Sequence, residues 1–261
     1  MGNYISKFDT TAELAAFSAT TSFIRPHVSL TKDDSKIHYF EDPYNGHEYV
    51  EIGGLKWATM NVGATGVTDY GLYFQWGDTS GYTADQVGSG SGQKPFNWSD
   101  TPYYTANTGS GSSGFTKYNT TDGKTVLELS DDAVQANWGG SWRMPTTDDF
   151  VALGNAIDYI NARGDTIGSG YDKLTTLSGV TGLYVADKTD LSKRLFFPAG
   201  GCCYKGKMYS VDSGVGFYWS SSLYSSDVLT AYFFYPNRGG VKWQDIHWER
   251  CNGFSVRGVI G

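Results

Sequence analysis

The sequence predicts an α+β fold, and three observations carry that expectation. Helix signals gather in the middle of the chain, strand signals lie on both sides of them, and glycine is abundant. Helices and strands that segregate along a chain favour small antiparallel sheets with helices beside them over an alternating, parallel βαβ sheet. Glycine supplies 34 of 261 residues, about twice ordinary usage. Aromatic residues reach 16% while charged residues stay at 18%, a balance that suits tight turns and large aromatic anchors and does not suit a helical bundle.

Taken in order, Thr10-Thr11-Ala12-Glu13 reads as a capping box that opens a short helix. Leu14, Ala15, Phe17 and Ala19 lie behind it, and Pro26 stops it. Val28-Ser29-Leu30 and Ile37-His38-Tyr39 alternate around Lys32–Ser35, which predicts a hairpin. This helix-plus-hairpin segment, 1–44, is too small to bury a core of its own. It is expected to be an adaptor or oligomerisation segment whose apolar face is covered by another copy or another protein.

The remaining stretch, 45–261, is read as one domain. The turn Tyr44-Asn45-Gly46 introduces it. Tyr49–Ile52 and Leu55–Ala58 flank Gly53-Gly54, the pattern of a hairpin with a two-residue turn. From Gly81 to Phe115 the chain is rich in Gly, Ser, Thr and Tyr, with Phe96, Trp98, Tyr103 and Tyr104 spaced through it. Long surface loops pinned by aromatics are expected there. One helix is predicted from Ser130 as N-cap through Val134, and another from Thr146 with Asp149 three residues on. Strands are predicted at 183–186, 194–197, 217–221, 231–235, 241–243 and 254–259.

Little in the sequence is arranged for catalysis. Asp131-Asp132 and Asp148-Asp149 fall in first helical turns, where the macrodipole favours acids. The histidines at 27, 38, 47 and 247 lack ligand spacing, and neither a phosphate-binding loop nor a nucleophile elbow is present. Cys202, Cys203 and Cys251 give no even disulfide framework, and small buried hydrophobes are the plain reading. A net charge of −7 argues against nucleic acid. No stretch approaches transmembrane length and the N-terminus lacks an apolar signal core, so a soluble product made in the cytoplasm without a signal peptide is expected, with no membrane partner.

The C-terminal stretch GGVKWQDIHWERCNGFSVRGVIG (239–261) reads as two sequences laid over each other. A regular frame of Gly239-Gly240, Val241, Trp243, Arg250, Gly253-Phe254 and Val256-Arg257 holds a filler of Lys242, Gln244, Asp245, Ile246, His247, Trp248 and Glu249 that has no chemical theme. Alternation around Val241 and Trp243 predicts that their neighbours face solvent, where substitution costs little stability.

Four ordered motifs carry a likeness: WGGSWRMPTTDDFVAL (138–153), RLFFPAGG (194–201), FYWSSS (217–222) and NGFSVRGV (252–259). Together they resemble the Fibrobacter succinogenes major paralogous domain, a C-type-lectin-like fold, over about Asn45 to the C-terminus. The N-terminal SFIRPHVSLTKDDSKIHYFE is similar to the leader of such domains in tail proteins of phages infecting gut Bacteroides. The tail resembles the variable region of proteins diversified by a retroelement, in which a mutagenic reverse transcriptase rewrites adenines while the frame stays fixed.

The resemblance implies a non-enzymatic adhesin, a phage tail-fibre receptor-binding protein displayed on the virion with a variable region at about 219–257. Its N-terminal segment would join virion tail components and form a homo-oligomer, a trimer as first expectation. Its C-terminal surface would contact a bacterial cell-surface protein or glycan. The expected anchors are Tyr232, Phe234, Tyr235 and Trp248, and the polar set is Arg238, Lys242, Asp245, His247 and Glu249, with Tyr224, Asp227, Leu229, Thr230, Gln244 and Ile246 completing the surface. These residues are expected on one exposed face, while Trp219, Trp243 and Arg257 are expected to be structural.

No cofactor is expected. Tyr235-Pro236-Asn237 and Trp243-Gln244-Asp245 echo the calcium motifs of true C-type lectins only in part, too few oxygens for the six to eight that calcium takes. Two alternatives stand. One is a fixed lectin-like structural or carbohydrate-binding domain of a bacterial surface protein. The other is an enzyme of the formylglycine-generating type, against which the absence of a spaced cysteine pair counts.

Overall fold

Gly53 and Gly54 both adopt positive φ, +63° and +80°, which a tight hairpin turn needs and a side chain resists. They join two antiparallel strands paired from Tyr49↔Ala58 to Ile52↔Leu55. The computed structural model describes residues 44–105, 114–211, 213–242 and 246–261, with side chains throughout except at 241 and 242. The chain divides between Pro43 and Tyr44, and every described residue belongs to the second unit. The expected N-terminal helix and hairpin therefore lie outside the described residues. So do Trp243, Gln244, Asp245 and the side chain of Lys242.

The described elements run in the order β1 (Tyr49–Ile52), β2 (Leu55–Asn61), α1 (Ala133–Trp138), α2 (Thr147–Ala156), β3 (Ile157–Tyr159), β4 (Leu174–Leu177), β5 (Val180–Asp187) and β6 (Arg194–Pro198). They continue with β7 (Cys202–Tyr204), β8 (Lys207–Tyr209), β9 (Tyr218–Leu223), β10 (Thr230–Asn237), β11 (Gly240–Lys242), β12 (His247–Glu249) and β13 (Arg257–Ile260). All the pairings between these strands are antiparallel. The class is α+β.

One sheet runs β1-β2-β13, so the last strand closes on the first hairpin. A second has β5 at its centre with β3, β4 and β6 around it, and β7-β8 is a separate hairpin. The sheet that carries most of the expected contact residues is built on β10, which pairs with β9 along one edge and with β12 and then β11 along the other.

Capping fixes the helices. The Asp149 carboxylate accepts the Thr146 N–H at 2.7 Å, and the Thr146 hydroxyl accepts the Asp149 N–H at 3.2 Å, the reciprocal box read from the sequence. The start of α1 lies two residues later than expected. Asp132, not Ser130, is the N-cap, and its carboxylate accepts from the N–H groups of Val134, Gln135 and Met144. Asp131 is taken by other partners, the hydroxyls of Tyr103 and Tyr118 and the ammonium of Lys117.

Two large apolar clusters, with a small one around Tyr73, Phe96 and Cys203, form the core. One gathers Trp76, Trp142, Trp219, Phe217, Phe233 and Phe254. The other gathers Trp57, Phe150, Phe197, Tyr218 and Phe234 between α2, β5 and β10. The aromatics of the Gly-rich segment serve as pins, with Phe96 fully buried against Tyr73 and Cys203 and Trp98 packed on the first cluster.

Candidate binding surface

Antiparallel pairing sorts the residues of β10 and β12 by side. Residues opposite each other point the same way and neighbours alternate, so Thr230↔Glu249 and Tyr232↔His247 share one side while Ala231↔Trp248 share the other. Phe233 and Tyr235 follow Ala231, and Phe234 follows Tyr232. Both sides of β10 carry core. Phe233 is buried in the first cluster, and Phe234 is fully buried in the second, stacked on Phe150 at 4.8 Å.

Phe234 is therefore a core residue and not a surface anchor. A strand covered on both faces buries consecutive residues, so alternation gives no outward side along its middle. Thr230 is also buried, its hydroxyl donating to the Asp227 carbonyl at 3.0 Å. Leu229 and Ile246 pack against the first cluster, and Asp227 accepts the Leu229 N–H at 3.1 Å, which holds the turn from Tyr224 to Thr230.

The remaining expected residues form two groups and one outlier. On one side, the His247 ring stacks on Tyr224 with centroids 3.7 Å apart and planes 10° apart, and Tyr232 meets Tyr224 edge-on at 5.4 Å. All three are half-buried, and Nδ1 of His247 is shielded without a hydrogen bond among the described residues. On the other side, Trp248 is 41% exposed and lies at the rim of the first cluster, 5.7 Å from Phe217 and 6.3 Å from Phe233. Half-buried Tyr235 packs near it on Phe217 at 5.1 Å. Glu249 is half-buried, its Oε2 4.0 Å from Cys251 Sγ.

The outlier is Arg238, exposed and paired with Asp172. It lies six residues beyond Tyr232, roughly 20 Å along the chain at strand rise. The expectation of one continuous exposed face is thus corrected. The surface wraps around the β10–β12 edge, and Arg238 stands apart from it.

The frame behaves differently from the filler. Arg250 is fully buried; its Nη1 donates to the carbonyls of Tyr118 and Val228, and its guanidinium lies 3.7 Å from the Phe115 ring centre. Burial, partly offset by neighbouring acidic groups, lowers its pKa. Arg257 is equally buried and donates to Asn61 Oδ1 and to the carbonyls of Ala58 and Phe196, each at 2.9 Å. A Cβ on Gly253 would approach Phe96 to 2.3 Å, and one on Gly258 would approach Trp138 to 2.3 Å. Trp219 is buried and bonded through Nε1 to the Phe74 carbonyl at 2.9 Å.

One feature of the surface has no signal in the sequence. An open groove of about 410 Å³ runs beside Tyr232, lined by Thr125, Val126, Thr147, Asp148, Val151, Ser222 and Leu223. With Tyr232 its walls come from four separate chain segments, so no local motif announces it. Asp148, read from the sequence as a helix-end acid, is exposed on its rim.

Among the described residues no three His, Cys, Asp or Glu side chains are placed to hold a metal ion. Asn237, the last residue of the partial calcium echo, uses its amide inside its own turn, accepting from Gly239 N–H and donating to the Tyr235 carbonyl. The three cysteines are buried as free thiols, and burial pushes those of Cys202 and Cys251 up to about 12. Among the described residues no helix is long and apolar enough to cross a membrane. No family model, curated protein or solved structure matches the chain.

Proposed function

We propose that the chain is a non-enzymatic adhesin, a C-type-lectin-like domain displayed on a phage tail fibre that carries a retroelement-diversified binding surface to a bacterial receptor. The supporting observation is a division of exposure inside one segment. From Trp219 to Arg257 the described frame residues Trp219, Arg250, Phe254, Val256 and Arg257 are buried, while of the expected contact residues Tyr224, Tyr232, Tyr235, Arg238, His247, Trp248 and Glu249 reach the surface in part or in full and Thr230 and Phe234 are buried exceptions. A diversified library needs that division, because every member must fold while its contact residues change. Aromatics that are half-exposed beside polar neighbours are also the residues that carry binding energy once a partner covers them.

The test is adsorption of the purified chain to a panel of gut Bacteroides strains. Replacing Tyr224, Arg238, His247 and Trp248 together by Asn is expected to abolish adsorption while the chain stays folded by near-ultraviolet circular dichroism. Adsorption that survives the change would overturn the assignment of the surface. Absence of both a reverse transcriptase gene near the coding sequence and an adenine-rich near-copy of codons 219–257 would overturn diversification.

A further inference from the structure

We infer that the groove beside Tyr232 receives an arginine side chain of a protein receptor. This deepens the adhesin reading and rests on it for the identity of the partner as a receptor, though not for the chemistry of the groove. The lining is sorted by chemistry. Val126 and Val151, with buried Leu223, supply aliphatic wall, Thr125, Thr147 and Ser222 supply hydroxyls, Tyr232 supplies a half-buried ring, and Asp148 supplies a carboxylate.

Among the described residues the Asp148 carboxylate has no hydrogen bond or ion pair. The other charges nearby are already matched. Asp149 is held by Arg143 and closes the α2 capping box, which meets the positive end of the helix. Lys124, next to Thr125, is paired with Glu128. One carboxylate without an ion-pair partner among the described residues, its charge met only by the N-terminal end of α2, thus faces the groove on a chain whose net charge is −7.

An arginine fits this set better than a lysine or a neutral polyol. Its three-carbon stem covers aliphatic wall. Its planar guanidinium can lie on the Tyr232 ring, and its five donors suit a carboxylate with hydroxyl acceptors around it. A lysine would use the carboxylate but not the ring-stacking plane, and a neutral polyol would leave the carboxylate without a counter-charge. Tyr232 and, one residue beyond Leu223, Tyr224 place the groove against the aromatic stack with His247. A receptor touching that stack therefore has a basic side chain within reach of the groove.

The experiment is a methyl NMR titration of the full chain that follows Val126, Val151 and Leu223. The probes are an acetylated Gly-Arg-Gly amide, the same peptide with citrulline for arginine, and methyl glucoside. The arginine peptide is expected to give saturable shifts in these methyls. Binding should weaken roughly three- to fivefold in Asp148→Asn, the scale of an exposed ion pair, and weaken again as salt is raised. Val151→Lys, which places a cation of the chain's own in the groove, should abolish it.

Equal shifts from the citrulline peptide, unchanged binding in Asp148→Asn, or shifts from methyl glucoside alone would overturn the inference. The two readings fail separately. Host adsorption without arginine binding rejects the groove and leaves the adhesin, whereas arginine binding without adsorption to any host rejects the adhesin and leaves the groove.

Discussion

Truncating Phe234 and truncating Trp248 should have opposite consequences, although the two read alike in the sequence. Phe234 has no exposed surface and is ringed by Phe150 at 4.8 Å, Phe197 at 4.9 Å and Tyr218 at 5.9 Å. Packing on both sides by α2 and β6 leaves the cavity little room to collapse. Phe234→Ala should therefore cost about 4 kcal/mol, within the range for buried aromatic truncations. For a domain of 150–250 residues each kcal/mol moves the midpoint by roughly 2–4 °C, which gives a fall of about 8–16 °C. Trp248 is 41% exposed and has core rings on one side only. Its removal opens no closed cavity, so Trp248→Ala should cost about 1 kcal/mol, or a few degrees. Thermal unfolding followed by near-ultraviolet circular dichroism separates the two, and host adsorption should fall with Trp248→Ala alone when measured well below both midpoints. A Phe234→Ala midpoint within 3 °C of the parent, or a larger loss for Trp248→Ala, would refute the side assignment of β10.

Other outcomes follow from the same packing. Arg257→Met should lose at least about 3 kcal/mol, because three buried acceptors lose their donor at once; a native-like urea midpoint would contradict this. Burial raises the Asp149 pKa, but the Arg143 bond and the Thr146 groups outweigh it, so the carboxyl titrates below the usual range. Its folded pKa being depressed, its contribution is fully present above the unfolded value of about 3.9 and is lost as pH falls through the folded value. Asp149→Asn should flatten the acid limb of stability against pH, measured by urea unfolding, and an unchanged slope would reject the assignment. The thiols of Cys202, Cys203 and Cys251 are buried and pushed upward by burial, so an aromatic disulfide reagent should label them only after unfolding. Rapid labelling of the native chain would show that one is accessible.

The parts legible in the sequence are those fixed by local chemistry. Gly53-Gly54 dictates its hairpin, Thr146 and Asp149 dictate a helix start, and Asn45-Gly46 makes the expected turn with φ of +50° and +82°. Most predicted strands appear with shifted ends, as β5, β6, β9, β10 and β11. The last one is shorter than expected, since Phe254 and Ser255 make only isolated bridges, Val256 makes none, and regular pairing begins at Arg257. Short elements were not legible, whether their partner is adjacent, as for β4 and the β7-β8 hairpin, or distant, as for β3 and β12. β3, β4, the β7-β8 hairpin and β12 are three or four residues long, too short for a periodic signal. The N-cap of α1 is displaced from Ser130 for a different reason, because the choice between Asp131 and Asp132 is made by Tyr103, Tyr118 and Met144 from elsewhere in the chain.

The proposed binding surface shows where period-2 alternation stops deciding exposure. Alternation tells which residues share a side, but whether a side is wet depends on what the rest of the chain lays over it. Along β10 the answer changes within three residues. Tyr232 borders an open groove, while Phe233 and Phe234 enter different cores. The solvent-facing contact residues lie at the end of β10 next to β12, in the turn from Tyr224 to Thr230, and again at Tyr235 and Arg238. Arg250 ties that turn down by donating to the Val228 carbonyl while it donates to Tyr118 on the other side. A fixed buried cation thus spans the loop that carries Tyr224 and the core beneath it. Side chains on that loop can then vary without the backbone that presents them losing its anchor.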